Sequence, residues 1–456
     1  MQRIIKIGIM LITLVFGNVI HIPDDYATIQ EGLNVAEEGD TVLVTSGTYY
    51  ENIVWPEMDG ISLIGSDEAD CIIDGSDTAR VIDMWGSTFI SELTVIENFI
   101  IQNGNAEGWM GGGGLRIHSN NPTIRNLIIR DNEAQSTGAG ILCYNCSATF
   151  SNIQLEDNFS NGYGGGVYID AAQPIFTNVN FINNSANTGG GIYCSGWESL
   201  ATFISCSFIN NSAYDSGAIY VTGSSQVLIE ETSIISNAAT SPGNFLKSGG
   251  IMVPNGSATI ISTIVWDNTP YNLQFNEAGP DSFFISYSNI QGGLNEIEIQ
   301  DNSQYVEWAE TNIELPPIFC NPDSGDYTLA ENSPCVGAGE NGANMGAFGV
   351  GCEALQTDLG INTPNHFKLH QNYPNPFNPT TTLRYDLPED ANVNIIIYDM
   401  MGRVVSNLAR SKQNAGYKFI QWNATNNQGQ PVSAGLYLYT IEAGEFRQTK
   451  KMILLK

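Results

Sequence analysis

A glycine-led motif recurs along the middle of this 456-residue chain, and its spacing limits the folds open to it more than any other feature. The copies are Gly114-Leu115-Arg116-Ile117, Gly140-Ile141-Leu142-Cys143, Gly166-Val167-Tyr168-Ile169, Gly191-Ile192-Tyr193-Cys194, Ala218-Ile219-Tyr220-Val221 and Gly250-Ile251-Met252-Val253. They are separated by 26, 26, 25, 27 and 32 residues. Each unit also carries a run ending in a polar pair, from Asp131-Asn132 through Asp157-Asn158 to Asp267-Asn268. Looser copies run from Ile96 to Asn103 and from Phe284 to Gln291. Within a unit, apolar and polar residues alternate over short β-branched runs, the period of strands with one buried face. Three inward columns align: Ile124, Phe150, Phe176, Phe203, Ile229, Ile260; then Leu127, Ile153, Val179, Cys206, Thr232, Thr263; then Ile129, Leu155, Phe181, Phe208, Ile234, Val265. No unit of this size buries its own apolar face, whereas stacking copies at ~4.8 Å per layer does. A helical solenoid would need a 3.6-residue period and few β-branched residues, so it is excluded.

The stacking assigns roles to the other repeated positions. Asn132, Asn158, Asn184, Asn211, Asn237 and Asn268 are expected to form a structural ladder at a turn. Asparagine tolerates left-handed backbone there, and its amide can bond to the copies above and below. In the glycine-led strands, residues between inward positions face out. One outward column reads Arg116, Leu142, Tyr168, Tyr193, Tyr220, Met252, and its neighbour His118, Tyr144, Asp170, Ser195, Thr222, Pro254. Arg116, His118, Tyr144, Tyr168, Asp170, Tyr193 and Tyr220 are therefore the candidate ligand-binding face, since aromatic rows can carry sugar faces. The competing account is that outward tyrosine suits a β-sheet and stacks on its own copies.

The Gly-Gly-Ile-Tyr segment at Gly190–Tyr193 and the Phe-x-Asn-Asn segment at Phe208–Asn211 resemble the repeats of chlamydial polymorphic outer-membrane proteins. They also resemble the wider pectate-lyase-like group of right-handed parallel β-helices. The opening from Ile20 to Gln30, leading into Gly39-Asp40-Thr41-Val42, is similar to the start of such chains. That resemblance implies an amphipathic capping helix near Tyr26–Glu38, and Ile29, Leu33 and Ala36 at i, i+4, i+7 support it independently. Asp326–Phe348 likewise resembles a closing turn.

After a linker, Asn375-Pro376-Phe377-Asn378-Pro379-Thr380 opens a series of short alternating strands: Thr382–Leu387, Val393–Tyr398, Val404–Leu408, Tyr417–Trp422, Gly435–Ile441 and Gln448–Leu455. Six or seven such strands predict an immunoglobulin-like sandwich. The Asn-Pro-Phe-Asn-Pro-Thr start, the Asp399–Arg403 turn, Gly435-Leu436-Tyr437 and the Lys450-Lys451-Met452 ending resemble C-terminal sorting domains of the type IX secretion system. The resemblance implies type IX secretion machinery as a partner and delivery to the outer cell surface of a Gram-negative-type bacterium. The expected fold class is all-β, a right-handed parallel β-helix followed by a small immunoglobulin-like β-sandwich. The expected boundaries are a signal peptide at 1–17, the β-helix at 18–356, a linker at 357–366 and the sorting sandwich at 367–456.

Charge supports this division. Between His21 and Asp358 there are 42 acidic and five basic residues, whereas Leu359–Lys456 carries ten basic and six acidic ones. So acidic a body repels nucleic acid and anionic membrane, and no nucleic-acid partner is expected. Met1–Gly17 pairs a basic start with an apolar run too short to span a bilayer, as a cleaved secretory signal does. Export permits disulfides, and Cys320, Cys335 and Cys352 are placed to staple the end of the β-helix. Cys143–Cys146 is one CxxC without a second pair, so no metal site is assigned. Asp131, Asp157 and Asp267 leave a calcium-binding turn open, but they do not fall on adjacent layers, and a structural ladder is the better account. No cofactor is expected, and the protein is expected to be monomeric. Bases are scarce: His21, His118 and Lys247 are the only histidines and lysine of the body, and no Gly-His-Gly segment or pectate-lyase arginine motif is present. The expected function is an adhesin or glycan-binding surface protein. The alternative is a lyase or esterase acting on acidic glycans.

Overall fold

The computed structural model describes residues 17–455 apart from 69, 87, 242–246, 276–279, 300–301, 356–363, 365 and 373–374. The expected signal segment (Gly17 excepted) and the expected linker (364 and 366 excepted) lie outside the described residues. From Val19 to Trp308 the chain winds as a parallel solenoid bounded by three sheets. Sheet A is the broadest, with strands such as Thr123–Arg130, Thr149–Glu156 and Ile175–Ile182. Sheet B holds the glycine-led strands, including Leu115–His118, Ile141–Tyr144, Val167–Asp170 and Ile192–Ser195. Sheet C is a narrow set of short strands from Asn105–Ala106 to Ala238–Ala239.

Register is what makes the core. Ile124 pairs with Phe150, Phe150 with Phe176, Phe176 with Phe203, Phe203 with Ile229 and Ile229 with Ile260, so like side chains stack on like. The phenylalanine rings lie parallel, at 4.7 Å for Phe150–Phe176, 5.1 Å for Phe176–Phe203 and 4.4 Å for Phe181–Phe208. The inward columns step by three and then by two residues because a left-handed residue bends sheet A between the first and second. Asn98, Asn126, Asn152 and Asn178 fill that bend at φ between 53° and 62°. Asparagine is the residue with a Cβ best suited to such a backbone.

The second corner divides the work of its polar pair differently from the expectation. The left-handed residue is the first member, at Asp131, Asp157, Asn183, Asn210, Ser236 and Asp267. The second member turns inward and is buried. Asn132 donates to Asn158 at 3.0 Å, Asn158 to Asn184 at 2.9 Å, Asn184 to Asn211 at 3.0 Å, Asn211 to Asn237 at 2.9 Å and Asn237 to Asn268 at 2.8 Å. Each amide also donates to a backbone carbonyl, as Asn184 does to Leu155 at 2.8 Å. One extra residue at the corner lets its neighbour point into the core fully hydrogen-bonded.

A helix at Ile29–Val35 packs on the first coil, with Ile29 and Leu33 buried. It is shorter than the expected 26–38, because Thr28 caps it by accepting from the Glu31 amide at 3.1 Å and Ala36 is already extended. The segment 326–348, expected as a closing turn, instead belongs to a stretch from 319 to 350 that folds back along the outer face of sheet A. The outward column there changes from Arg130 and Glu156 to Ile182, Ile209, Ile235 and Trp266, and Tyr327 and Phe319 cover Ile209 and Ile235. A disulfide joins Cys320 to Cys352, while Cys335 stays a free, buried thiol. Cys143 and Cys146 form a second disulfide.

The C-terminal unit is an antiparallel sandwich of a three-stranded and a four-stranded sheet. Phe377 and Trp422 fill its core with ring centroids 5.6 Å apart, and the Phe377 amide donates to the Ile453 carbonyl at 2.9 Å. The outer side of the strand Thr381–Leu387 faces the folded-back segment, where Arg384 lies against Gly337.

Asn184→Ala is expected to lower stability by about 1–3 kcal/mol, because it strands buried partners on both neighbouring coils. The exposed Thr149→Ala is expected to stay within about 0.5 kcal/mol of the parent. Chemical denaturation of the two variants checks the contrast.

Candidate functional site

The outward side of sheet B carries the candidate face. Its strands stay in register, with Arg116 paired to Leu142, Leu142 to Tyr168, Tyr168 to Tyr193 and Tyr193 to Tyr220. His118, Tyr144 and Asp170 form the neighbouring column. Two aromatic files result. Tyr168, Tyr193 and Tyr220 stack with centroids 5.4 and 5.2 Å apart and rings within 9° of parallel. His118 stacks on Tyr144 at 4.9 Å and on Trp85 at 4.7 Å. Trp85 extends the file one coil toward the N-terminus. It escaped sequence alignment because its coil, Ile82–Met84, lacks the glycine lead, although Trp85 falls at the right offset from Ile82.

The seven candidates are not one cluster. Arg116 is buried and committed to Asp83, donating from Nε at 2.7 Å, while its guanidinium carbon lies 4.3 Å over the Trp85 ring. His118 and Asp170 lie in one column but two coils apart, with Tyr144 between them. Asp170 instead meets Tyr168, whose hydroxyl lies 3.4 Å from its Oδ2 and 3.4 Å from Ser195 Oγ. Burial pushes the Tyr168 phenol up to about 12 and raises Tyr193 further. Burial also raises the Asp170 carboxyl, and it holds His118 below the ordinary imidazole value, with the Arg116 charge adding to the effect. At neutral pH the face therefore presents phenols and a neutral imidazole. Because rings within each file cover one another, the interior members offer edges and hydroxyls outward rather than flat faces.

Elsewhere, a cavity of about 580 Å³ lies between the folded-back segment, sheet A and the sandwich. It is lined by Glu231 and Glu331 with no histidine, lysine or arginine, so it pairs no acid with a base. Among the described residues no group of three or more acidic, histidine or cysteine side chains converges on a metal position. Asp131, Asp157 and Asp267 stand at left-handed corners, with Asp131 3.7 Å from Arg130.

The stacked parallel coils agree with a sequence-family model described as right handed beta helix region, which matches residues 31–233 and 139–307. The chain belongs to the right-handed β-helix family. Residues 377–445 of its sandwich match a second model, the FlgD Ig-like domain. A search of curated proteins finds no match. Among solved structures, a similar chain is dimeric latent PorU from Porphyromonas gingivalis, at 26% identity and a TM-score of 0.17, over 23% of this chain and 10% of that one. Pectin methylesterase from carrot is 14% identical with a TM-score of 0.29, over 65% and 82% of the two chains. A mannuronic-acid-specific polysaccharide family 6 lyase from human gut microbiota is 10% identical with a TM-score of 0.32, over 69% and 80%. This β-helix protein thus spans about a tenth of the PorU chain it resembles.

His118 binds protons less readily when folded than when unfolded, so its contribution to stability falls as pH drops from the ordinary imidazole value toward its lower folded one. The loss of melting temperature between pH 7.5 and pH 5 is expected to be smaller in His118→Phe than in the parent. Equal losses in both proteins would contradict the assignment.

Proposed function

We propose that this β-helix protein is exported to the outer surface of a Gram-negative-type bacterium and binds glycan there without turning it over. The observation carrying the proposal is the pair of stacked aromatic files along the outer side of sheet B, Trp85–His118–Tyr144 in one column and Tyr168–Tyr193–Tyr220 in its neighbour. Such a run supplies apolar ring edges, and hydroxyls such as that of Tyr168, at one pitch, the two kinds of contact that a sugar chain makes with protein. Binding is favoured over lyase or esterase chemistry because the one arginine of the face is tied to Asp83. A general acid and base must both reach one substrate atom, and His118 and Asp170 stand two coils apart.

Delivery is assigned to the sandwich as a type IX sorting signal. Its support is the motif set beginning at Asn375 and ending at Lys450-Lys451-Met452. Both ends of that set meet in one place, where the Phe377 amide donates to Ile453 and the Leu455 amide donates back to Phe377.

Replacing Tyr168, Tyr193 and Tyr220 with serine is expected to abolish retention on a glycan array, and unchanged retention would overturn the binding site. Product release from polyuronates by the parent protein would instead establish the enzyme reading. Deleting residues 367–456 is expected to leave the protein in the periplasm, as read by cell fractionation, and normal surface delivery would overturn the sorting role.

A further inference from the structure

A second aromatic series flanks the file on the side where the chain enters sheet B. Each coil crosses from sheet C to sheet B through a short segment, and the short strands of sheet C pair coil to coil without a break. In five successive coils this segment, or the end of the sheet C strand that leads into it, carries Trp109, then Ser136, then Tyr163, then Asn187, then Tyr214. The three aromatic residues are 74%, 46% and 51% exposed. They fall on alternate coils, shifted by one or two residues within their segments. With a rise of ~4.8 Å per coil, they recur at about 10 Å along the axis.

These rings differ from the file they border. Trp109 and Tyr214 have no ring neighbour among the described residues, and Tyr163 leans on Tyr193 at 4.7 Å with a 48° tilt. Trp109 and Tyr214 are therefore exposed with no ring stacked on them, and Tyr163 is tilted out of the stack, whereas the faces inside the file are covered. An open ring face packs against the C–H face of a pyranose. In an extended chain of 1,4-linked equatorial pyranoses each sugar is turned over relative to the last. The same face then returns at every second sugar, a distance close to two coils.

Charge narrows the ligand further. Residues 21–358 hold 42 acidic and five basic residues, Arg116 is paired with Asp83, and burial holds His118 below the ordinary imidazole value. Glu107 and Asp215 stand in the same crossing segments. A polyuronate would meet repulsion along this whole rim, and a neutral chain would not.

We infer that the face takes a neutral, extended β-1,4-linked polysaccharide lying along the solenoid axis, with alternate sugars on Trp109, Tyr163 and Tyr214. The inference rests on the glycan-binding reading above and names its ligand class. The test is retention of the full-length protein on insoluble cellulose and β-mannan, compared with amylose and polygalacturonate, followed by calorimetry with soluble manno-oligosaccharides or cello-oligosaccharides. Retention on the neutral β-linked polymers is expected. Affinity should rise with oligosaccharide length until the chain spans the four coil rises from Trp109 to Tyr214, roughly 19 Å. Trp109→Ala and Tyr214→Ala should each weaken binding on the order of tenfold. Both side chains are exposed, and an unchanged melting temperature would show that the fold persists. Retention on polygalacturonate or amylose alone would overturn the ligand class and leave glycan binding standing, as would unchanged affinity in both variants. Retention on no glycan of any kind would overturn the glycan-binding reading itself.

Discussion

Everything in the β-helical body depends on one constraint, the hydrogen-bonded registry of each coil on the next. A parallel ladder without slippage sets every side chain beside its own counterpart, one coil away. Groups that attract their own kind gain from this arrangement, so phenylalanine stacks on phenylalanine and asparagine bonds to asparagine through the whole run from Asn132 to Asn268. Groups that repel their own kind do not. The few cations accordingly bridge coils to unlike partners, with Arg116 to Asp83, Arg125 to Glu97 at 2.6 Å and Arg130 to Glu156 at 3.9 Å. The more exposed bridges of Arg125 and Arg130 contribute little individually, and their effect is to prevent like charges from facing each other.

The same constraint explains which parts could be read from sequence. Inward columns repeat a residue type at a fixed interval, so Ile124, Phe150, Phe176 and Phe203 align without any structure. The bend at Asn126, Asn152 and Asn178 was legible only as a three-residue step between columns. A left-handed residue and a plain irregularity give the same step in sequence. In the Asp-Asn pairs, both residue types tolerate positive φ, so sequence could not say which member turned the corner and which turned inward. The fold-back of segment 319–350 had a visible signal in the outward column, where Arg130 and Glu156 give way to Ile182, Ile209 and Ile235. An outward apolar column in a solenoid marks a surface that the chain itself must cover.

The candidate face shows the limit of column reasoning. Alternation places Tyr168, Tyr193 and Tyr220 on the outside, and nothing in the pattern states how their rings turn. Registry at coil pitch forces flat rings to lie face to face, since that spacing is close to an aromatic stacking distance. The faces that a sugar would use are thereby consumed within the file. Free faces survive where registry is broken, in the crossing segments whose lengths vary from coil to coil. Trp109 and Tyr214 are there, and no column alignment contains them.

A solenoid cannot present a compact, one-of-a-kind constellation on its sheets as easily as it presents a row. Each sheet position is multiplied along the axis, so a ligand matched to it gains most by repeating along the axis too. Arg116 and Asp83 illustrate the converse. They are the most chemically distinctive pair on sheet B, and they neutralise each other across one coil step instead of facing outward. What remains outward is mostly periodic and aromatic, with the Asp170 carboxyl among the rings, set within a strongly acidic body. A neutral polymer with its own short repeat can follow such a surface coil after coil, while a polyanion meets the same repulsion at every step. If the proposed glycan binding holds, the coil pitch that the core registry sets would also limit which repeating ligands this surface can follow.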